Sequence, residues 1–163
     1  WEVKAASSAL PPATTVRAST NHYTWYLDEG NGVQTGSVQG APNSTCSSNT
    51  ACGLQTYVEE VNATDFCGGT NWRVPTYTEL QGLLDYSKQG EASLLSSEFF
   101  PNQPDATQLS SNSDAFMPYW TSQTAADGTS LSQAYIIDMS SANDLAYPKN
   151  NTAFVRLVRT PGE

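Results

Sequence analysis

The clearest hydrophobic rhythm in the chain runs from Ala51 to Asn62. Leu54, Tyr57, Val58 and Val61 recur there at helical spacing, and Glu59 and Glu60 fall on the other face. This predicts a helix that stops before Cys67-Gly68-Gly69. A second apolar face, Leu80, Leu83 and Leu84, follows Thr76-Tyr77-Thr78-Glu79, which has the S/T-x-x-E form of a capping box. Pro75 cannot extend a helix upstream, so this helix is predicted to start after Thr76 and end between Ser87 and Gly90. Strands are predicted at Tyr23 to Leu27, Trp72 to Val74, Tyr119 to Ser122, Gln133 to Met139 and Ala153 to Arg159. The segment Ala125 to Ser130 reads as a hairpin loop, and Ser140 to Asn151 as a second loop. Residues 28–50 and 91–117, rich in Gly, Asn, Ser and Pro, read as long irregular regions, and residues 5–20 as an extended, loosely held segment. The pattern as a whole is that of one α+β domain over residues 1–163, with two helices flanking a small twisted antiparallel sheet.

Composition narrows the function classes. A length of 163 residues suits one domain with a core of its own. Seven Lys+Arg against 16 Asp+Glu give a net charge of -9. That balance argues against a duplex nucleic-acid binder or a polybasic membrane binder. No apolar run approaches the roughly 18 residues of a membrane span, so no membrane insertion is expected. Nothing at the start reads as a signal peptide and Trp1 is not a start residue, so a mature, processed or truncated form is expected. The polar surface rests on 19 Ser, 18 Thr, 11 Asn and 9 Gln rather than on charge. This is a composition common on secreted bacterial proteins, and the expected location is extracellular or on a bacterial cell surface.

Three cysteines are present, Cys46, Cys52 and Cys67. A disulfide closing the short polar loop Cys46–Cys52 is geometrically reasonable and leaves Cys67 unpaired or paired outside the chain. The alternative, Cys52 to Cys67, would span the first predicted helix and stays open. The spacings do not fit zinc, and the lone histidine, His22, lies far away in sequence. No G-x-S-x-G, Walker or H-E-x-x-H pattern occurs, and Glu59 and Glu60 are adjacent on a helix and point apart. No enzyme activity and no cofactor are expected.

Five blocks in order carry a resemblance. They are Trp1-Glu2-Val3-Lys4; Tyr23-Thr24-Trp25-Tyr26; Cys67 through Thr76 with Glu79-Leu80; Tyr119-Trp120-Thr121-Ser122; and Val155-Arg156-Leu157-Val158-Arg159. Together they resemble the Lcl C-terminal domain family of bacterial secreted proteins, described as C-type-lectin-like. The block W-R-V-P-T-x-x-E-L is also similar to the formylglycine-generating enzyme superfamily. That chemistry needs a reactive cysteine pair late in the domain, and no cysteine follows Cys67. Family members carry a T-G-L-x segment and an upstream cysteine before the W-E block. Their absence here implies a first strand that is incomplete or supplied by a segment outside this chain, and the absent cysteine is the natural partner that the resemblance implies for Cys67.

The resemblance implies a C-type-lectin-like fold and a non-catalytic binding module, an adhesin head recognising a glycan or a surface protein. The alternative is a structural subunit of an extracellular filament, pilus or matrix fibre, with self-association into an oligomer or filament. The family's namesake binds sulfated polysaccharide, and the charge of -9 speaks against that ligand here. Gln103-Pro104-Asp105 reads like the Q-P-D triplet of galactose-type calcium lectins, without the W-N-D companion. Calcium takes six to eight oxygens, and Gln103, Asp105, Asp127, Asn143 and Asp144 are the candidate binding residues. Turn chemistry is the competing reading at Asp127-Gly128 and Asn143-Asp144. Trp72 is expected in the core and Arg73 on loop carbonyls or a carboxylate such as Glu79. Tyr119 and Trp120 alternate, so at most one of them faces out.

Overall fold

In the computed structural model, residues 1–5, 17–25, 52–105, 115–125 and 132–160 are described. The elements are β1 (Tyr23–Thr24), β2 (Cys52–Gly53), α1 (Leu54–Ala63), α2 (Tyr77–Gln81), a 3-10 turn (Tyr86–Lys88), β3 (Pro118–Ala125), β4 (Gln133–Asp138), β5 (Asp144–Pro148) and β6 (Thr152–Ala153). The class is α+β. The single antiparallel sheet expected from sequence is instead two three-stranded sheets, β2-β1-β6 and β3-β4-β5. The β1–β2 pair is parallel, and the remaining pairs are antiparallel.

Each helix departs from its predicted limits for a local reason. Helix α1 starts at Leu54 rather than Ala51, because Cys52 and Gly53 are taken up in pairing with Tyr23 and Thr24. Its buried residues are Leu54, Tyr57 and Val61. Helix α2 is five residues long and ends at Gly82, well before Ser87. Leu83 and Leu84 continue the apolar face through i to i+3 turns, their amides bonding the carbonyls of Leu80 and Gln81 at 3.1 Å each. Asp85 then caps the 3-10 turn through the amide of Ser87.

The strands also differ. Residues 144–148, expected in a loop, form β5 at one edge of the sheet. An edge strand open to solvent carries no two-residue alternation, which is why Asp144-Leu145-Ala146 gave no strand signal. The predicted strand at 153–159 contributes only its first residue to β6. From there the chain runs buried through Val158, touching neighbours by isolated bridges of Phe154 with Tyr119 and Val158 with Arg73. The predicted strand at 72–74 reduces to that Arg73 bridge.

Strand β3 is the wall between two cores. Trp120 faces a cluster with Tyr23, Trp25, Leu54, Tyr57 and Val155. Tyr119 faces a second cluster with Leu80, Leu95, Met117 and Ile137 under α2. Neither aromatic faces out. Two tryptophans cross-brace the sheets: the Trp25 indole donates to the Thr121 carbonyl at 2.9 Å, and the Trp120 indole to the Tyr23 carbonyl at 2.7 Å.

The first residues invert the usual polarity. Glu2 and Lys4 are buried, while Trp1 and Val3 are 36% and 42% exposed. The Glu2 amide bonds the Leu157 carbonyl at 2.9 Å, and its carboxylate accepts from the Leu157 amide at 3.0 Å and from the Tyr57 hydroxyl. Lys4 donates to Tyr57 and pairs with Glu2 at 3.3 Å; Arg17 lies 3.4 Å from the same oxygen; Arg156 donates to the Glu2 carbonyl at 2.6 Å. Burial lowers the Lys4 ammonium to about 8, against the opposing pull of Glu2. Burial raises the Glu2 carboxyl, but Lys4, Tyr57, the Leu157 amide and Arg17 together bring it below its ordinary value. Residues 17–20, part of the segment expected to be loosely held, are fixed here: the Ala5 amide bonds the Arg17 carbonyl and the Ser19 amide bonds the Ala5 carbonyl, both at 3.0 Å.

Candidate functional site

The motif W-R-V-P-T-x-x-E-L builds a platform. Trp72 is buried and its indole donates to the Phe66 carbonyl at 3.0 Å. Arg73 grips Glu79 through two bonds of 2.8 and 2.7 Å. Glu79 reaches back to the Thr76 amide at 2.9 Å, completing the capping box, and Leu80 is buried beneath. Arg73 and the Thr76 cap lower the Glu79 carboxyl to about 2, against burial. The motif's charged pair is therefore structural, and it fixes the first turn of α2. Glu79→Gln should destabilise the domain by about 1 kcal/mol at pH 7, a modest figure because the exposed pair is screened by solvent. A carboxyl with a depressed pKa stabilises fully above its unfolded value and loses that contribution as pH falls through the folded one. The stability gap between wild type and variant, read by urea titration, should thus close between about pH 4.5 and pH 2.

What the platform presents is Tyr77 and Thr78. A bulge completes the site. Strand β3 pairs Trp120 with Ile136 and Thr124 with Ala134, so three residues of β3 oppose Tyr135 alone. The extra length bends β3 toward α2. The Ser122 amide bonds the Pro75 carbonyl at 2.8 Å, and the Gln123 side-chain oxygen Oε1 accepts from the Tyr77 backbone amide at 2.8 Å. Tyr135 and Asp144 arrive from β4 and β5. Ala146 is the register partner of Tyr135, so only a methyl flanks that ring on the β5 side.

The result is an open cleft of about 320 Å³ lined by Tyr77, Thr78, Gln123, Tyr135 and Asp144. The two tyrosine rings stand 6.2 Å apart at 70°. Burial, and then the charge and hydrogen bonding of Asp144, raise the Tyr77 phenol above its ordinary value. With its oxygen engaged by Tyr77, the Gln123 side-chain amide has two N–H donors that no bond among the described residues uses. The cleft offers two aromatic faces, an amide donor, hydroxyls and one carboxylate.

The four candidate binding residues that are described do not converge. Gln103 and Asp105 line a different, open groove of about 640 Å³, together with Glu91, Ser93, Leu95 and Met117. Gln103 is committed there to the carbonyls of Leu95 and Phe100, at 3.2 and 3.0 Å, so it staples its own loop. Asn143 sits in the β4–β5 turn, where its carbonyl takes the Asp138 amide at 2.8 Å. Of the described candidates, Asp144 alone reaches the cleft. Asp127 and Cys46 lie outside the described residues, and with Cys46 the proposed Cys46–Cys52 disulfide; Cys52 is described only as backbone in β2. Cys67 is an exposed free thiol at φ 53°. Arg159 donates to its carbonyl at 3.1 Å and packs so close to Gly69 that a Cβ there would lie 1.8 Å from the guanidinium. Among the described residues, no three His, Cys, Asp or Glu side chains gather as a metal site.

Tyr77, Thr78, Gln123 and Tyr135 were not identified from sequence. Two signals point to them. The central positions of a capping box lie in the first turn and need not be buried, and Tyr135 alternates with the buried Ala134 and Ile136.

The family model of the Lcl C-terminal domain matches residues 14–159. No curated protein and no solved structure matches significantly.

Proposed function

The chain belongs to the Lcl C-terminal domain family, and from that footing we propose that it is an extracellular, non-catalytic binding module of C-type-lectin-like type that recognises a glycan. The observation that supports this reading is the convergence of Tyr77, Gln123, Tyr135 and Asp144 on one open cleft. A sugar ring has an apolar C–H face that stacks on an aromatic ring, and a rim of hydroxyls that both donate and accept. The cleft supplies both kinds of partner at a volume suited to one ring. In this reading the rest of the motif block is scaffold, and the cell-surface role is that of an adhesin head.

The test is a glycan screen with the whole chain, with and without calcium, followed by titration of the hits against Tyr135→Ala. Stacking on the ring predicts at least a tenfold loss of affinity, about 1.4 kcal/mol, with an unchanged unfolding midpoint. Equal affinity of variant and wild type would remove the cleft from the reading.

The alternative is a structural subunit of an extracellular filament or matrix fibre. Its support is β5, an edge strand with Leu145 45% exposed, which offers backbone groups for pairing with another copy. Growth of scattering mass with concentration, suppressed by Leu145→Lys, is the expected result there.

A further inference from the structure

We infer that the cleft takes an amino sugar in its protonated form, a ring that stacks on a tyrosine while its ammonium group meets Asp144. This rests on the glycan reading above and narrows it to a charge class. The electrostatics of the lining carry it. Of Tyr77, Thr78, Gln123, Tyr135 and Asp144, only Asp144 is charged, and no cation lines the cleft. The described salt bridges pair Glu2, Glu79 and Glu91 with Lys4, Arg17, Arg73 and Lys88; none involves Asp144. Its neighbour is the Tyr77 phenol, a neutral donor. A carboxylate so placed attracts a cation and repels sulfate or carboxylate groups.

The rings add to this. Two tyrosines 70° apart present π faces and edges to one space, and an ammonium near such a face is held by the ring quadrupole. The whole chain, at -9, raises the local concentration of cationic ligands and lowers that of anionic ones. An isolated alkyl ammonium would use the rings and Asp144 but leave the Gln123 amide and the Thr78 hydroxyl without partners. A sugar bearing the amine uses all of them.

The experiment measures binding of the full chain to three oligosaccharide series by calorimetry: glucosamine oligomers, N-acetylglucosamine oligomers, and a heparin-derived fragment. At pH 6 and low salt, the glucosamine series should bind at least tenfold more tightly than the acetylated series, and heparin fragments should not bind. Asp144→Asn should remove the preference between the first two by weakening the glucosamine series at least tenfold, and Tyr135→Ala should weaken both. Equal binding of the acetylated and free-amine series by wild type would overturn the charge class and leave the glycan reading standing. An unchanged preference in Asp144→Asn would also overturn it. Failure of every series, with a folded protein by circular dichroism, would sink both readings together.

Discussion

Glu2→Gln is expected to cost about 3–5 kcal/mol, among the largest effects of any single substitution in the chain. Glu2 is fully buried; its backbone carbonyl holds Arg156, and its carboxylate faces two cations, Lys4 and Arg17. Removing its charge leaves those cations uncompensated in a low-dielectric setting. Two atoms of Arg156, Nε and Nη2, already have no hydrogen-bond partner among the described residues. The chain has one way to relax. Lys4 is already lowered to about 8, and without Glu2 its pKa falls further, so it sheds its proton near neutrality. A lysine whose folded pKa is below its unfolded value, 10.5, gains stability as pH rises through the interval between the two. The variant should therefore become more stable between about pH 7 and pH 10, over a wider span than wild type, where Lys4 begins to contribute only near 8. Urea titrations at several pH values check this. A flat profile in the variant would show that Lys4 does not carry the excess charge. Glu2→Gln with Lys4→Met should recover part of the loss, because it removes the cation that Glu2 neutralised most directly.

Trp120→Ala is expected to cost about 3–5 kcal/mol by emptying the main core. Its side chain is fully buried, packs against Tyr147 at 5.6 Å between ring centroids, and donates to Tyr23. The substitution also strands the Tyr23 carbonyl on one side of the cross-brace. Trp120→Phe separates the two contributions: most of the volume returns, the hydrogen bond does not, and a loss nearer 1–2 kcal/mol is expected. Thermal unfolding followed by tryptophan fluorescence measures both. A phenylalanine variant as unstable as the alanine one would mean that the indole bond, rather than packing, holds the sheets together.

The sequence was most informative where local chemistry alone decides structure. The capping box at Thr76 and Glu79 needs four residues and formed as read, and Arg73 found the carboxylate named for it. The apolar face of α1 was legible because helix period and core contact coincide at Leu54, Tyr57 and Val61. Long-range choices were not legible. The chain from Ala153 to Val158 is buried throughout, so it lacks alternation and reads as a strand although most of it lies outside the sheets. Strand β5 failed for the opposite reason, since its first three residues are exposed. The cleft was hidden because its residues come from a helix start, a bulge and two further strands, and the bulge at Thr121 to Gln123 has no local marker. The inverted burial of Glu2 and Lys4 was equally invisible. Only the arrival of Tyr57, Arg156 and Leu157 makes the inside of that segment polar.

The pairing of Glu2 with Leu157 has a mechanical consequence. Two stretches 155 residues apart in the chain meet through a backbone bond, a carboxylate bond to the Leu157 amide, and the Arg156 grip on the Glu2 carbonyl. A tension applied between Trp1 and Leu157 loads that joint directly. The cross-braced sheets and the cleft lie outside the direct line of force until it yields. Traction between those two points would thus be borne by a charged clasp, leaving the cleft unstrained as long as the clasp holds.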